Sequence, residues 1–304
     1  MKHTKIAIIG AGRVGTTTAY ALMLKNIVGE ILLVDIDPQR CKGEIFDLAD
    51  TLSFSTASNI HEATLTQAGQ ADIIILTAGI AQKPGQSRTE LLNTNHAIIT
   101  DIMRDMQPIN KNAILLMVTN PVDLMTLCAQ EHAGLPRNQV FGSGTFLDST
   151  RLQLAIANSV GVAEESVQAY ILGEHGDSQF PAWSSAQISG IPLLKFPDLT
   201  EADLLKIAHQ TKNKAYDIIR CKGSTFFGIA TCIAALCESI IFNQKKVFTL
   251  SVFNQEFGVC LSVPAVLGER GIEKTLPLPL SVEEQKQFTA SAQALRRSKE
   301  SFDQ

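Results

Sequence analysis

Apolar positions in the first half of the chain fall in short unbroken runs separated by longer amphipathic stretches. Lys5 to Ile9, Glu30 to Asp35, Asp72 to Thr77, Ala113 to Thr119 and Val140 to Gly142 read as strands, and their nearly continuous apolar character suits strands covered on both faces. Between them, Gly15 to Lys25, Pro38 to Leu52, Arg88 to Gln107 and a segment starting at Val122 carry helical spacing. This alternation predicts βαβ units and a doubly wound parallel sheet, whose ligands bind beyond the carboxyl ends of the strands.

After Thr145 the rhythm changes. Longer helices are expected near Thr145 to Ser159, Glu201 to Arg220, Ser224 to Phe242 and Val282 to Ser301. A hairpin is expected to pair Val247 to Phe253 with Phe257 to Val263 across Asn254, Gln255 and Glu256. The chain thus divides into an α/β domain over residues 1–144 and an α+β domain over residues 145–304. No repeat, low-complexity tract or Pro/Ser-rich linker separates them, so one rigid body is expected.

Composition narrows the partners. Of 304 residues 45% are apolar, enough for a sizeable core, and a net charge of −4 without a dense Lys/Arg run argues against nucleic acid or an acidic membrane surface. The stretch Ile229 to Phe242 is interrupted by Cys232, Cys237 and Glu238 and falls short of the roughly 18 apolar residues that span a bilayer, so it reads as a buried helix. Met1 to Lys5 runs straight into the first strand, too short for a secretory signal, and a cytoplasmic location is expected. The six cysteines form no CxxC pair and no two histidines stand within five residues, so neither a zinc site nor a disulfide framework is supported.

Four stretches carry chemistry. Gly10-Ala11-Gly12-Arg13-Val14-Gly15 follows a strand and opens a helix, the Rossmann arrangement in which glycines permit a tight turn and a helix N-terminus accepts a pyrophosphate. Asp35 closes the next strand twenty residues after Gly15, placed to bond adenine ribose hydroxyls and to repel a ribose phosphate, which favours NAD over NADP. Gly79 to Arg88, broken by Pro84-Gly85, follows a central strand and can act as a lid that brings Arg88 and Gln82 over a substrate, or is an ordinary polar loop. Asn120, in Val118-Thr119-Asn120-Pro121-Val122-Asp123, stands at a strand end where it can bond the nicotinamide ribose or a substrate oxygen, or simply shape a turn.

The last stretch, Gly173-Glu174-His175-Gly176-Asp177, sets an imidazole between glycines on a loop. Upstream, Asp148 and Arg151 share one helix face. A carboxylate can orient and charge such an imidazole, and a guanidinium can grip a substrate carboxylate with two parallel hydrogen bonds. Taken alone, these residues also fit a surface histidine and a solvated salt bridge.

Together, the glycine turn, Gln82-Lys83-Pro84-Gly85, Thr119-Asn120-Pro121-Val122-Asp123, the run Gly144-Thr145-Phe146-Leu147-Asp148-Ser149-Thr150-Arg151 and the His175 stretch resemble the L-lactate and malate dehydrogenase family over essentially the whole chain. The resemblance implies His175 as acid/base with Asp148 as its partner, Arg88 as the group polarising the carbonyl, and Arg151 as the carboxylate clamp. It places Gln82, Asn120 and Thr225 around the substrate. The implied NAD site comprises Gly10, Gly12, Arg13, Val14 and Gly15 in the turn, Asp35 at the ribose, and Thr77, Ala78, Gly79, Thr119, Asn120 and Ile229 toward the nicotinamide.

Departures within the family sharpen the expectation. Malate-specific members carry Arg at the Gln82 position, so a neutral amide there points to pyruvate and lactate, with malate or bulkier 2-hydroxy acids as alternatives. Many bacterial lactate dehydrogenases bind fructose bisphosphate through an Arg two residues after the substrate Arg and a His seven before the acid/base His. Gln153 and Gln168 occupy those places, so little activation is expected. The chain begins about four residues before its first strand, without the long N-terminal arm of animal enzymes, and a tetramer or dimer is expected. A serine hydrolase would need a GxSxG elbow, which is absent. A silent NAD-binding relative would be expected to lose His175, Arg151 or Arg88, and all three are present.

Overall fold

The computed structural model describes residues 4–54, 59–80, 88–196 and 199–300. Six strands, β1 (Lys5–Ile9), β2 (Glu30–Val34), β3 (Asn59–Glu62), β4 (Ile73–Leu76), β5 (Ile114–Met117) and β6 (Val140–Gly142), run parallel in the spatial order β3-β2-β1-β4-β5-β6. The crossovers are α1 (Arg13–Lys25), α2 (Pro38–Asp50), α3 (Leu65–Ala68), α4 (Arg88–Asp105) and α5 (Val122–His132).

Alternate side chains of these strands feed opposite cores, which explains their unbroken apolar sequence. Ala7, Ile9, Ile74, Leu76, Leu115 and Met117 pack toward Ile99 and Met103 of α4 and Met125 of α5. Ile6, Ile8, Ile31, Leu33, Ile73 and Ile75 pack toward Ala19, Leu22 and Met23 of α1. Strand order reverses between β1 and β4, so the chain leaves their carboxyl ends in opposite directions and opens a crevice there.

The second half supplies α6 (Phe146–Val160), the two-residue strands β7 (Val167–Gln168), β8 (Ile171–Leu172), β9 (Phe180–Pro181), β10 (Gln187–Ile188) and β11 (Ile191–Pro192), then α7 (Glu201–Lys222), α8 (Phe227–Ile241), β12 (Lys246–Asn254), β13 (Val259–Gly268), β14 (Gly271–Thr275) and α9 (Val282–Glu300). Among the described residues the meander β12-β13-β14 extends the parallel sheet to nine strands, with β12 antiparallel to β6 through Ser251 opposite Gly142. The expected hairpin is therefore present, with longer strands than the sequence pattern suggests.

The elements that sequence periodicity does not mark are short or polar. In β3 only Ile60 is buried, so the strand reads as a loop. Ile272 of β14 is followed by three exposed residues. Among the described residues no helix is long and apolar enough to cross a membrane.

Candidate functional site

The crevice is shaped first by close backbone approach. Gly10 turns the chain out of β1 at φ +109°, and a Cβ there would lie 2.8 Å from the Ala78 nitrogen. At Gly15 a Cβ would stand 1.9 Å from the Gly10 carbonyl oxygen, so no other residue fits the entry of α1 against the turn. Gly12 is the N-cap of α1 and no side chain caps that end. Its first-turn N–H groups, with the positive end of the helix dipole, suit a pyrophosphate.

Asp35 sits just beyond β2 with its side chain only 4% exposed. Its Oδ2 accepts from the Ala11 nitrogen at 2.6 Å and from Arg40 Nη2 at 2.7 Å, and its Oδ1 accepts from the Asp37 nitrogen at 2.9 Å. Burial works against the charge, but the Asp37, Arg40 and Ala11 hydrogen bonds outweigh it and hold the carboxyl below the usual carboxylate range. A carboxylate offers about four acceptor positions, so one direction remains for a ribose hydroxyl. Arg40 is not singled out by the sequence pattern. Its place in the first turn of α2, five residues after a strand-end acid, is the signal that could have found it.

A second cluster lies where β1, β4 and β5 end. Val14, Thr77, Gly79, Ile80, Val118, Thr119 and Asn120 line a pocket of about 170 Å³. It gathers four of the residues expected toward the nicotinamide, Thr77, Gly79, Thr119 and Asn120, together with Val14 of the glycine turn. Thr77 Oγ1 donates to the Ile9 or Gly10 carbonyl, each 3.0 Å away, and Thr119 Oγ1 donates to the Ala78 carbonyl at 2.7 Å. Behind them stands Asn95 of α4, 1% exposed, which sequence reading misses. Its Oδ1 accepts from the Ile80 nitrogen at 2.9 Å, and its Nδ2 donates to the Ile80 and Asn120 carbonyls at 3.2 and 2.8 Å. One amide thus ties the ends of β4 and β5 together.

The acid/base candidates meet on the substrate side. Asp148 and Arg151 lie one turn apart on α6, with Arg151 Nη1 donating to Asp148 Oδ1 at 3.2 Å. Asp148 Oδ2 is 2.7 Å from His175 Nδ1, and among the described residues Nε2 of that ring has no hydrogen-bond partner. The Asp148 side chain is 4% exposed, Arg151 14% and His175 30%, a gradient from a buried carboxylate to an accessible ring. Burial opposes the charge on His175, yet the Asp148 charge and hydrogen bond, then Asp123, push the imidazole above its ordinary range. Burial likewise opposes ionised Asp148, while His175 and then Arg151 hold its carboxyl below the usual range.

The His175 loop is fixed from several sides. Gly173 bridges Ser262 of β13, the Glu174 nitrogen donates to Ser291 Oγ of α9 at 2.8 Å, and the His175 nitrogen donates to Asp123 Oδ2 at 2.7 Å. Asp123, quoted above only as the end of a motif, and Ser291, which no motif contains, are therefore further residues that hold the site.

The remaining expectations divide. Ile229, at the start of α8, packs on the same core as Val14 and Val118, and Arg13 Nη1 donates to Ser224 Oγ, beside Thr225, at 2.7 Å. Gln82 lies outside the described residues. Arg88 begins α4, and its side chain also lies outside them. Gln153 Nε2 donates to the Ala169 carbonyl at 3.0 Å, and Gln168 of β7 pairs with Gln187 of β10. A larger cavity of about 630 Å³ opens elsewhere, between the β12–β13 hairpin and α9, and includes none of the residues above.

Two family models together match nearly the whole chain. The family described as lactate/malate dehydrogenase, NAD binding domain, matches residues 4–142, and that described as lactate/malate dehydrogenase, alpha/beta C-terminal domain, matches residues 145–304. L-lactate dehydrogenase A of Rhizopus oryzae is 45% identical over 294 residues, covering 97% of this chain and 92% of its own length. L-lactate dehydrogenase of Lacticaseibacillus casei is 38% identical over 303 residues, covering 97% and 93%. Among solved structures, a lactate dehydrogenase enzyme from a Medee basin deep-sea metagenome library matches with a TM-score of 0.96 at 32% identity over 100% of both chains. The minor L-lactate dehydrogenase of Enterococcus mundtii, in a ligands-bound form, matches with a TM-score of 0.95 at 33% identity, covering 99% of this chain and 98% of that one.

Proposed function

The chain belongs to the lactate/malate dehydrogenase family, and from that membership we propose that it is an NAD-dependent L-lactate dehydrogenase acting reversibly between pyruvate and L-lactate. The observation that carries this reading is the imidazole of His175, held by Asp148 at 2.7 Å beside the Arg151 guanidinium. In this proposal residues 1–144 hold most of the cofactor and bring Gln82, Arg88 and Asn120 to the substrate, while residues 145–304 supply Asp148, Arg151, His175 and Thr225 to the substrate and Ile229 to the cofactor.

Gly10, Gly12, Arg13, Val14 and Gly15 cradle the pyrophosphate, Asp35 bonds the adenine ribose, and Thr77, Ala78, Gly79, Thr119, Asn120 and Ile229 bed the nicotinamide half. When bound, the dihydronicotinamide supplies the hydride that adds to the ketone carbon. His175 protonates the carbonyl oxygen as its π pair moves onto oxygen, and the imidazole regains its proton from water. Asp148 fixes the ring's orientation and favours the imidazolium. Arg151 commits one guanidinium nitrogen to Asp148, and its other donors clamp the substrate carboxylate. Arg88 stabilises negative charge growing on the oxygen, with Asn120 and Thr225 beside it. In lactate oxidation His175 begins neutral and takes the hydroxyl proton.

Gln82 directs choice toward pyruvate, because a second substrate carboxylate closed in beside a neutral amide would lie unpaired. Gln153 and Gln168 leave no charged anchor for fructose bisphosphate. A homo-oligomer, tetramer or dimer, completes the proposal and is checked by light scattering. The deciding assay compares pyruvate, oxaloacetate and bulkier 2-oxo acids with NADH. The highest kcat/KM is expected for pyruvate. A higher value for oxaloacetate would sink the assignment, and equal values for bulky 2-oxo acids would broaden it.

A further inference from the structure

Helices α1 and α8 come from opposite halves of the chain and are braced to each other at two points. At the far end Lys25 Nζ meets Glu238 Oε2 at 2.6 Å. At the crevice end Arg13 Nη1 donates to Ser224 Oγ at 2.7 Å, which joins the glycine turn to the residue before Thr225. Both helices begin at that end, and neither Gly12, the N-cap of α1, nor Phe226, the N-cap of α8, supplies a side-chain cap.

Arg13 is an unfavourable residue for its position. It is the first residue of α1, in a first turn that holds no acid, where the positive end of the helix dipole disfavours a cation. Among the described residues its guanidinium forms no ion pair, and Ser224 is a neutral acceptor. Two positive features are thereby held together where the glycine turn suits a pyrophosphate.

Ser224 sits in a connection with little slack. Gly223 to Phe226 alone separate α7 from α8. Gly223 caps α7 at φ +81° with its N–H on the Ile219 carbonyl at 2.7 Å. The Lys222 ammonium lies over the Phe226 and Phe227 rings, 3.6 and 4.2 Å from their centroids. A Cβ on Gly228 would stand 3.2 Å from Leu147 Cδ1, so the first turn of α8 lies against the residue before Asp148. A displacement of Ser224 therefore carries Thr225 with it.

We propose that Arg13 is a clasp between the two ligand sites, whose guanidinium holds the cofactor pyrophosphate and Ser224 together, so that cofactor binding sets the Thr225 loop in place for the substrate. Ser224 is then a positioning residue that acts on the substrate through Thr225. A planar guanidinium presents several N–H donors in fixed directions, so one edge serves the anion while Nη1 keeps Ser224. A bound pyrophosphate also offsets the repulsion between the guanidinium and the helix dipole, which makes the clasp firmer when cofactor is present. By linkage, a substrate analogue tightens cofactor binding by the same factor as the cofactor tightens the analogue.

The proposal rests on the dehydrogenase reading, and its test measures binding without turnover. NADH fluorescence gives the NADH dissociation constant alone and with saturating oxamate, an isosteric analogue of pyruvate, and the ratio of the two is the coupling. For the wild type a coupling on the order of tenfold or more is expected. Ser224→Ala should leave the melting temperature and the binding of NADH alone close to wild type, yet cut the coupling severalfold. Arg13→Ala should weaken the binding of NADH alone by about tenfold, the loss of a charge-assisted hydrogen bond, and cut the coupling to the same level. Combining the two substitutions should cut the coupling no further, since both remove one contact. Arg13→Lys keeps the charge on a single compact ammonium, so it should recover most of the NADH affinity without recovering the coupling.

Undiminished coupling in Ser224→Ala would overturn the clasp, and so would losses that add in the double variant. A wild type that binds NADH with no gain from oxamate would overturn it too. Should Arg13→Ala not fold, Ser224→Ala and Arg13→Lys decide the matter between them. A wild type that binds no NADH would defeat the proposed function as well, whereas coupling that survives both substitutions defeats the clasp alone.

Discussion

Asp148 Oδ2 and His175 Nδ1 stand 2.7 Å apart, although 27 residues separate them in the chain, and the other oxygen of the same carboxylate receives Arg151. One buried carboxylate thus holds both the proposed acid/base and the proposed clamp. With the His175 value raised above its ordinary range, the ring stays charged further into neutral pH. Reduction requires the imidazolium and oxidation requires the free base. Pyruvate kcat/KM should therefore be flat at lower pH and fall as pH rises through the raised value, while lactate kcat/KM rises across the same interval. Asp148→Asn should move both limbs to lower pH and lower kcat/KM by on the order of 10²-fold or more. Initial rates in both directions across pH check this, and limbs that do not move would contradict the orienting role.

Asn95 leads to a different kind of prediction, because its buried amide holds backbone rather than ligand. Asn95→Leu has nearly the same size but leaves the Ile80 nitrogen, the Ile80 carbonyl and the Asn120 carbonyl without that partner. Each buried unmatched group costs about 1–3 kcal/mol, and relaxation makes the sum smaller than three such terms. The melting temperature should drop by several degrees, and pyruvate KM should rise as Ile80 and Asn120 lose their mutual register. Wild-type KM in a destabilised protein would show that Asn95 serves the fold alone.

Local geometry explains what the sequence makes legible. The glycine turn and the one-turn spacing of Asp148 and Arg151 are fixed within a few residues, and Asp35 ends the one βαβ unit that the turn opens, so their pattern implies their arrangement. His175 meets Asp148 only in the folded chain, and family resemblance rather than spacing pairs them beforehand. Asn95, Arg40, Asp123 and Ser251 stay hidden for a physical reason. Each looks ordinary in its own element, as a helix-face amide, a helix-start cation, a first-turn acid and a strand serine, and acquires its role from a partner on another segment. The edge strands β3 and β14 escape notice because exposed polar side chains interrupt their pattern.

Regulation can be tested through two amides. Gln153 spends its NH₂ group on the Ala169 carbonyl, and Gln168 faces Gln187 across a strand pair. Neither carries the charge that binds phosphate well. Millimolar fructose bisphosphate is expected to leave pyruvate KM and melting temperature unchanged, because a ligand that does not bind the native state cannot stabilise it. Gln153→Arg combined with Gln168→His should create affinity detectable as a rise in melting temperature. A sharp fall in wild-type pyruvate KM on adding the sugar phosphate would refute the expectation.

Substrate choice gives the most direct reversal. Under the proposed function Gln82 is the neutral side chain at the far end of the substrate, so oxaloacetate would bring in a second carboxylate that this amide does not offset. Gln82→Arg supplies a charged donor at that position. A hydrogen bond to a charged group contributes about 1.5–3 kcal/mol, which corresponds to roughly 10- to 150-fold in kcat/KM for oxaloacetate. The same guanidinium facing the methyl of pyruvate must be desolvated without a partner, so pyruvate kcat/KM should fall at the same time. Opposite movement of the two specificity constants is the signature of a group that reads the far end of the substrate. Parallel movement would place Gln82 in lid closure instead and would leave the preference for pyruvate to other residues.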